Sequence, residues 1–171
     1  MDANGAFTPD EALDKLRRLA KYDIHSIEQP IRAGQPEAMA KLCRESPVPI
    51  ALDEELIGVR DRAPLLDTIQ PQYIILKPSL VGGLAASDDW IRHADERNID
   101  WWATSALESN IGLNAIAQWA MARQQAADHP LPPQGLGTGQ LYHNNVDSPI
   151  VIEGGQLRYD SDQAWDESLF E

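Results

Sequence analysis

The stretch "YIILKPS", residues 73–79, ends a run of four apolar residues on a lysine followed by a proline. A short apolar run of this kind is typical of a strand buried in a parallel sheet. An unpaired lysine is costly to bury. Lys77 must therefore either extend to water or belong to a site that needs an amine where the strand ends. How the other strands end decides between these two interpretations.

Strand and helix patterns alternate along most of the chain. Apolar residues at helical spacing predict helices at residues 8–22, 35–46, 59–69, 85–98 and 110–127. Short strands are predicted within "HSIEQP", "VPIALDEE", "YIILKPS" and "IDWWATS". This alternation predicts an α/β fold with a parallel sheet, which leaves an open doubly wound sheet or a barrel. Near the carboxyl end, "PIVIEGGQLRYD" predicts a hairpin around Gly154 and Gly155.

A charged residue ends each of four successive units. These residues are Asp2, Glu28, Asp53 and Lys77, at intervals of about 25 residues, which is the length of one strand and helix in a β/α barrel. Thr104 ends the next strand at a similar interval. Because the carboxyl ends of parallel strands lie at one edge of a sheet, we expect these side chains at the same rim.

Three carboxylates at one rim repel each other unless a cation lies between them. Carboxylate oxygens around an open site suit Mg²⁺, with Mn²⁺ as an alternative. No second histidine or cysteine lies at ligand spacing, so a zinc site is not expected. A protonated Lys77 is not a metal ligand, and we expect it to face a bound substrate across from the metal.

The composition excludes several other classes of function. The 171 residues carry a net charge of −13, which argues against binding to nucleic acid or to an anionic membrane surface. No apolar run approaches the roughly 20 residues of a membrane helix, and the first residues lack a signal-peptide pattern. Cys43 is the single cysteine, which suits a reducing compartment, and we expect a cytoplasmic protein acting on a small molecule.

The order Asp, Glu, Asp, Lys on successive strands resembles the enolase superfamily, which uses a lysine or histidine base with Mg²⁺. Within it, the chain closely resembles the o-succinylbenzoate synthase family, of the muconate-lactonizing-like subgroup. The resemblance lies in the segments "DANGAF", "SIEQP", "ALDEEL", "IILKPSLVGG", "WWATSALESNIGLNAIAQWA" and "GLGTGQLYHNN". The likeness covers nearly the whole chain, and "TSALESNIGLNAIAQ" is its most specific part.

The resemblance implies roles for individual residues. Asp2, Glu28 and Asp53 would bind Mg²⁺, and Lys77 would be one of two active-site lysines. The substrate-binding residues implied are Asn4, beside a metal-bound carboxylate, Thr104, Ser105 and Leu107, which would line the pocket, and Gly135 and Leu136, which would close it.

The reaction implied is the loss of water from 2-succinyl-6-hydroxy-2,4-cyclohexadiene-1-carboxylate, a step of menaquinone biosynthesis that yields 2-succinylbenzoate. A base removes the proton α to the carboxylate, the metal stabilises the resulting ene-diolate, and hydroxide leaves from the same face. The main physical demand is stabilisation of the dianion in the transition state. The family's other lysine moves the proton, so Lys77 is expected to stabilise charge.

The resemblance also implies a (β/α)7β barrel, of which this chain holds the C-terminal portion. Residues 1–140 would form a partial barrel from the end of the third strand, and residues 141–171 a tail returning toward a capping domain. The family's capping domain has no counterpart in the sequence. Its K-x-K lysine pair has none either, because Lys15, Lys21 and Lys41 lie in helical patterns. A barrel of this type needs about 250 residues. We therefore expect a C-terminal fragment, inactive alone, whose partner is the missing amino-terminal part or another chain.

Two other interpretations stay open. A racemase of N-acylamino acids or a dipeptide epimerase would use the same fold, metal and lysine positions. The segments "TSALES" and "GLGTG" favour the synthase, since an epimerase is expected to carry an acidic pair in its last loop. The third interpretation is a non-catalytic, truncated remnant, which the absence of K-x-K supports.

Overall fold

The structure is a computed structural model that describes residues 1–166 and 168. Its α-helices are α1 (Pro9–Leu19), α2 (Pro36–Glu45), α3 (Arg62–Ile69), α4 (Pro78–Val81), α5 (Leu84–Asp95) and α6 (Asn110–Ala126). Its strands are β1 (Ile27–Glu28), β2 (Ile50–Leu52), β3 (Tyr73–Leu76), β4 (Asp100–Ala103), β5 (Ile150–Glu153) and β6 (Gln156–Tyr159).

The first four strands form one sheet in the order β1-β2-β3-β4. β1 pairs with β2 and β2 pairs with β3, both in parallel, as the alternation of strands and helices predicts. The segment before α1 extends this sheet, because Asp2 forms a parallel bridge with Glu28 and the Ala3 amide donates to the Glu28 carbonyl at 3.1 Å. The carboxyl ends of these strands therefore lie along one edge.

The predicted helices are confirmed, with ends set by local chemistry. α1 begins after Thr8, whose backbone amide donates to the Glu11 carboxylate at 3.0 Å, as in a capping box. It passes into a short 3₁₀ turn, Ala20–Tyr22, and stops at Asp23, which has a left-handed φ of 51°. The helix predicted at residues 59–69 begins only at Arg62.

The short helix α4 was not predicted. Lys77 lies at its N-cap position, and Pro78, whose fixed φ suits the first helical turn, follows at once. Gly82, with a φ of 109°, ends the helix. The turn after β3 therefore makes one helical turn before α5 begins.

The core of the sheet and helices is apolar, as the periodicity predicts. Fully buried side chains include Leu16, Ile27, Met39, Ile50, Leu52, Leu66, Ile69, Ile74, Ile75 and Trp90. Cys43 is also buried, and burial raises the pKa of its thiol to about 12, so it packs as a small hydrophobic residue. Among the described residues, the helices are too short or too polar to cross a membrane.

The chain divides into two units, Met1–Trp102 and Ala103–Glu171. The second contains α6 and the predicted hairpin, in which β5 and β6 pair antiparallel. The hairpin turn is Gly154 and Gly155, both with positive φ, as two-residue turns between right-twisted strands favour. The domain division predicted at residue 140 stays a prediction.

Candidate active site

The first unit brings the charged strand ends together. Glu28 is the last residue of β1, Asp53 follows β2 directly, and Lys77 follows β3. The Lys77 ammonium donates a hydrogen bond to Asp53 Oδ2 and lies 4.0 Å from Glu28 Oε1. The Lys77 amine is therefore directed to the carboxylates that end β1 and β2, the two strands that precede β3 in the chain, and only 20% of its side chain is exposed.

Asp2 is held differently from the other two carboxylates. Its Oδ1 accepts the backbone amide of Asn4 at 2.7 Å, a local turn that places Asn4 at a left-handed φ of 47°. Asp2 is exposed, whereas the Asp53 side chain is only 2% exposed. The structure thus places Glu28, Asp53 and Lys77 in one cluster and holds the Asp2 carboxylate against the adjacent turn.

The electrostatics of this cluster penalise a second negative charge. Burial, a hydrogen bond with Asp53 and the charges of Asp2 and Asp53 together raise the pKa of Glu28 to about 8. Burial alone would lower the pKa of Lys77, but its hydrogen bond to Asp53 and the nearby carboxylates outweigh burial and raise it. The lysine ammonium is therefore favoured at this rim, and the carboxylates lack enough positive charge for all to ionise freely.

A divalent cation fits the chemistry of this donor set. Burial first, and then the hydrogen bond and charges of its carboxylate neighbours, raise the pKa of Glu28, and carboxylates in such surroundings are the ligands that hard cations stabilise. Within residues 1–166 and 168, no group of three or more histidine, cysteine, aspartate or glutamate side chains is arranged to hold a metal ion. Of the three carboxylates assigned to the metal, Glu28 and Asp53 lie beside Lys77, and Asp2 Oδ1 accepts from the Asn4 amide.

The second unit gathers most of the residues assigned to substrate. Thr104 forms a parallel bridge with Gly135, and its hydroxyl donates to the Gly135 carbonyl at 2.8 Å. Ser105 is buried, and its Oγ accepts the Leu107 amide at 2.9 Å and donates to Glu108. Leu136 is buried as well.

Leu107 has an unusual backbone conformation. Its φ is 66°, a region that non-glycine residues seldom adopt, and its side chain is 50% exposed. The Ser105 hydroxyl holds its amide, and the Tyr142 hydroxyl donates to its carbonyl at 3.0 Å. Backbone strain of this kind clusters at active sites and where ligands are held.

The contact between Thr104 and Gly135 makes a test of the packing in the second unit. A Cβ at Gly135 would lie 2.7 Å from Thr104 Oγ1. We expect Gly135→Ala to lower the free energy of unfolding by about 1–3 kcal/mol, measured by urea denaturation. Thr104→Ala should recover part of this loss. Gly137→Ala is the control, because its Cβ would meet only Ile152 Cδ1, at 3.8 Å. Equal losses for both glycine variants would contradict the steric explanation.

Sequence reasoning missed three polar residues beside the strand ends, namely Gln29, Glu54 and Glu55. Glu54 follows Asp53, and burial followed by the charge of Asp53 raises its pKa, although a hydrogen bond within its own residue acts the other way. Gln29 and Glu55 are both buried. Runs of polar residues directly after apolar strands, "EQ" and "DEE", were the available signal.

Comparison with known proteins identifies the family. The family model described as enolase C-terminal domain-like matches residues 1–163. The chain belongs to the enolase C-terminal domain-like family. The predicted fold class, the C-terminal portion of an enolase-superfamily barrel, is therefore confirmed.

Known proteins resemble this chain in sequence and in structure. The chain is 57% identical over 159 residues to the o-succinylbenzoate synthase of Desulfotalea psychrophila, covering 92% of this chain and 42% of that one. It is 29% identical to an N-succinylamino acid racemase of Amycolatopsis, covering 92% of this chain and 41% of that one. The crystal structure of MenC from Desulfotalea psychrophila matches with a TM-score of 0.86 and 57% identity, covering 91% of this chain and 43% of that one. The chain thus spans less than half the length of these relatives.

Proposed function

We propose that this chain is the C-terminal part of an o-succinylbenzoate synthase. The reaction would be dehydration of 2-succinyl-6-hydroxy-2,4-cyclohexadiene-1-carboxylate to 2-succinylbenzoate, a carbon–oxygen lyase step of menaquinone biosynthesis in the cytoplasm. The observation that carries the proposal is the contact of Lys77 with Asp53 and Glu28 at the strand ends, in a chain so similar to a named synthase. The site residues below are assigned on that basis.

Lys77 would stabilise negative charge that develops on the substrate when its α-proton leaves. The lysine is half-buried beside carboxylates that favour its protonated form, and an ammonium held in place at a strand end stabilises an anionic transition state. Removal of the proton would fall to a lysine supplied by the rest of the enzyme. Thr104, Ser105, Leu107, Gly135 and Leu136 would bind the substrate, with Asn4 beside a metal ligand.

Asp2, Glu28 and Asp53 would hold Mg²⁺, or Mn²⁺ in its place. When bound, the cation supplies a Lewis acid that stabilises negative charge on carboxylate oxygens of the substrate. Its positive charge would also offset the burial and the neighbouring negative charges that together raise the pKa of Glu28.

The proposal is tested by joining this chain to the part of a relative that it does not match. The amino-terminal part of the Desulfotalea psychrophila synthase would be fused ahead of Met1, and 2-succinylbenzoate formation followed by chromatography. We expect the fusion to catalyse the dehydration and to lose activity reversibly when Mg²⁺ is chelated. The 171-residue chain alone should be slower by about 10²- to 10⁴-fold or more, the usual contribution of a general base.

The same fusion discriminates between the two enzyme hypotheses. The relative named as an N-succinylamino acid racemase keeps racemisation open as a second activity. A fusion that racemises N-succinylamino acids but forms no 2-succinylbenzoate would replace the synthase assignment by the racemase. A folded fusion without either activity would favour the non-catalytic interpretation.

A further inference from the structure

Gln29 is a buried amide whose hydrogen-bonding capacity is fully used. The whole residue is only 1% exposed. Its Oε1 accepts the backbone amides of Asp53 at 3.2 Å and Glu55 at 3.3 Å. Its Nε2 donates to the Ile31 carbonyl at 3.0 Å and to Glu55 Oε2 at 3.2 Å. An amide side chain has two acceptor positions and two donors, and all four have partners here.

These contacts join the turns that follow three strand ends. Gln29 comes directly after Glu28, and its side chain holds the backbone amide of Asp53. The backbone carbonyl of Gln29 accepts the Gly5 amide at 2.6 Å, in the turn that follows Asp2. One residue therefore contacts the backbone beside each of the three carboxylates assigned to the metal.

Glu55 fixes the Gln29 amide in its orientation. The Glu55 carboxylate is buried, with Oε2 accepting from Gln29 and Oε1 accepting the Gly34 amide at 2.8 Å. A carboxylate can only accept hydrogen bonds, so the Gln29 amide must direct its nitrogen toward Glu55 and its oxygen toward Asp53.

The backbone of Gln29 is strained. Its φ is 37°, a value that side-chain-bearing residues rarely adopt and that persists only where the surroundings impose it. The hydrogen bonds of its amide supply that constraint. Strain held by a buried polar network beside a candidate active site indicates that the position of these turns matters to function.

We infer that Gln29, oriented by Glu55, positions the Glu28 and Asp53 carboxylates for binding a divalent cation. This inference rests on the proposed function, because it needs Glu28 and Asp53 to be metal ligands. Gln29 would touch neither the metal nor the substrate. It would act through the backbone that carries the ligands, as residues hydrogen-bonded to metal ligands do.

The test is a titration of the fused enzyme with Mn²⁺, in which electron paramagnetic resonance measures the concentration of the free ion. We expect Gln29→Leu and Gln29→Glu to weaken Mn²⁺ binding by about 10- to 100-fold, the usual cost of losing such a supporting contact. The double variant Gln29→Glu with Glu55→Gln restores a hydrogen bond between the two side chains. It should bind at least about threefold more tightly than Gln29→Glu alone, since residues in contact are coupled.

Two matched variants separate positioning from general stability and from the metal site itself. Leu16→Ala removes a fully buried side chain of α1 and so tests whether lost stability alone weakens binding; its Mn²⁺ affinity should match that of the unmodified fused enzyme. Glu28→Gln should abolish binding in either case. Unchanged affinity in both Gln29 variants, or an equal loss in Leu16→Ala, would overturn the positioning role and leave the metal site standing. Failure of the unmodified fused enzyme to bind Mn²⁺ would overturn both assignments.

Discussion

Replacing Lys77 by methionine in the fused enzyme should lower kcat by about 10²- to 10⁴-fold, the range for losing a charged group that acts in the transition state. Methionine replaces the apolar stem of lysine with one of similar length but removes the ammonium that contacts Asp53 and approaches Glu28. Because the charge is needed most when the substrate becomes a dianion, kcat should fall more than KM rises. Steady-state rates of 2-succinylbenzoate formation measure both constants.

Two further variants make this result interpretable. Lys41→Met removes an exposed lysine of α2 and should leave kcat unchanged. Lys77→Arg keeps a positive charge but cannot exchange a proton at neutral pH, so it should retain more activity than Lys77→Met if the role is electrostatic. An arginine variant as inactive as the methionine variant would support a proton-transfer role instead. Wild-type kcat in Lys77→Met would remove Lys77 from the active site.

The second large effect expected is on stability. Trp90 of α5 is completely buried, and the Arg62 guanidinium of α3 lies 5.4 Å from the centre of its ring. Arg62 also pairs with Asp89 at 2.9 Å, so this ring supports a contact between two helices. We expect Trp90→Ala to lower the free energy of unfolding by about 3–5 kcal/mol, through lost burial and the cavity that remains. Urea denaturation followed by circular dichroism measures this change.

The cost of Trp90→Ala is a large fraction of the roughly 5–15 kcal/mol that stabilises a typical domain. Trp90→Phe keeps an aromatic ring beneath Arg62 and should cost less than half as much. Met121→Ala, at a site 56% exposed, should change stability by about 0.5 kcal/mol or less. A Trp90→Ala variant as stable as Met121→Ala would mean that α3 and α5 do not pack through this ring.

The regular elements could be predicted because their signals are local. Each of these signals spans only a few residues: the helical spacing around Leu16, the cap at Thr8 and the turn at Gly154 and Gly155. The helix and the hairpin that they predict are present. α4 was missed because four residues are too few to show a helical period, and its first residues stand within the stretch "YIILKPS" in which a strand is predicted. The repeating interval of charged residues predicted which strand ends adjoin, since parallel strands of one sheet share a rim.

What the sequence by itself determined is the kind of chain this is: a βα-repeat with Asp2, Glu28, Asp53 and Lys77 at successive strand ends, in the enolase C-terminal domain-like family. Only the tertiary structure decided which of these groups touch. Lys77 pairs with Asp53, Asp2 is held by the Asn4 amide, and Gln29 with Glu55 connects the turns between them. The physical reason is that periodicity fixes which rim a residue reaches, whereas hydrogen bonds among residues about 25 positions apart depend on turn conformations, such as the positive φ of Gln29, that no local pattern encodes.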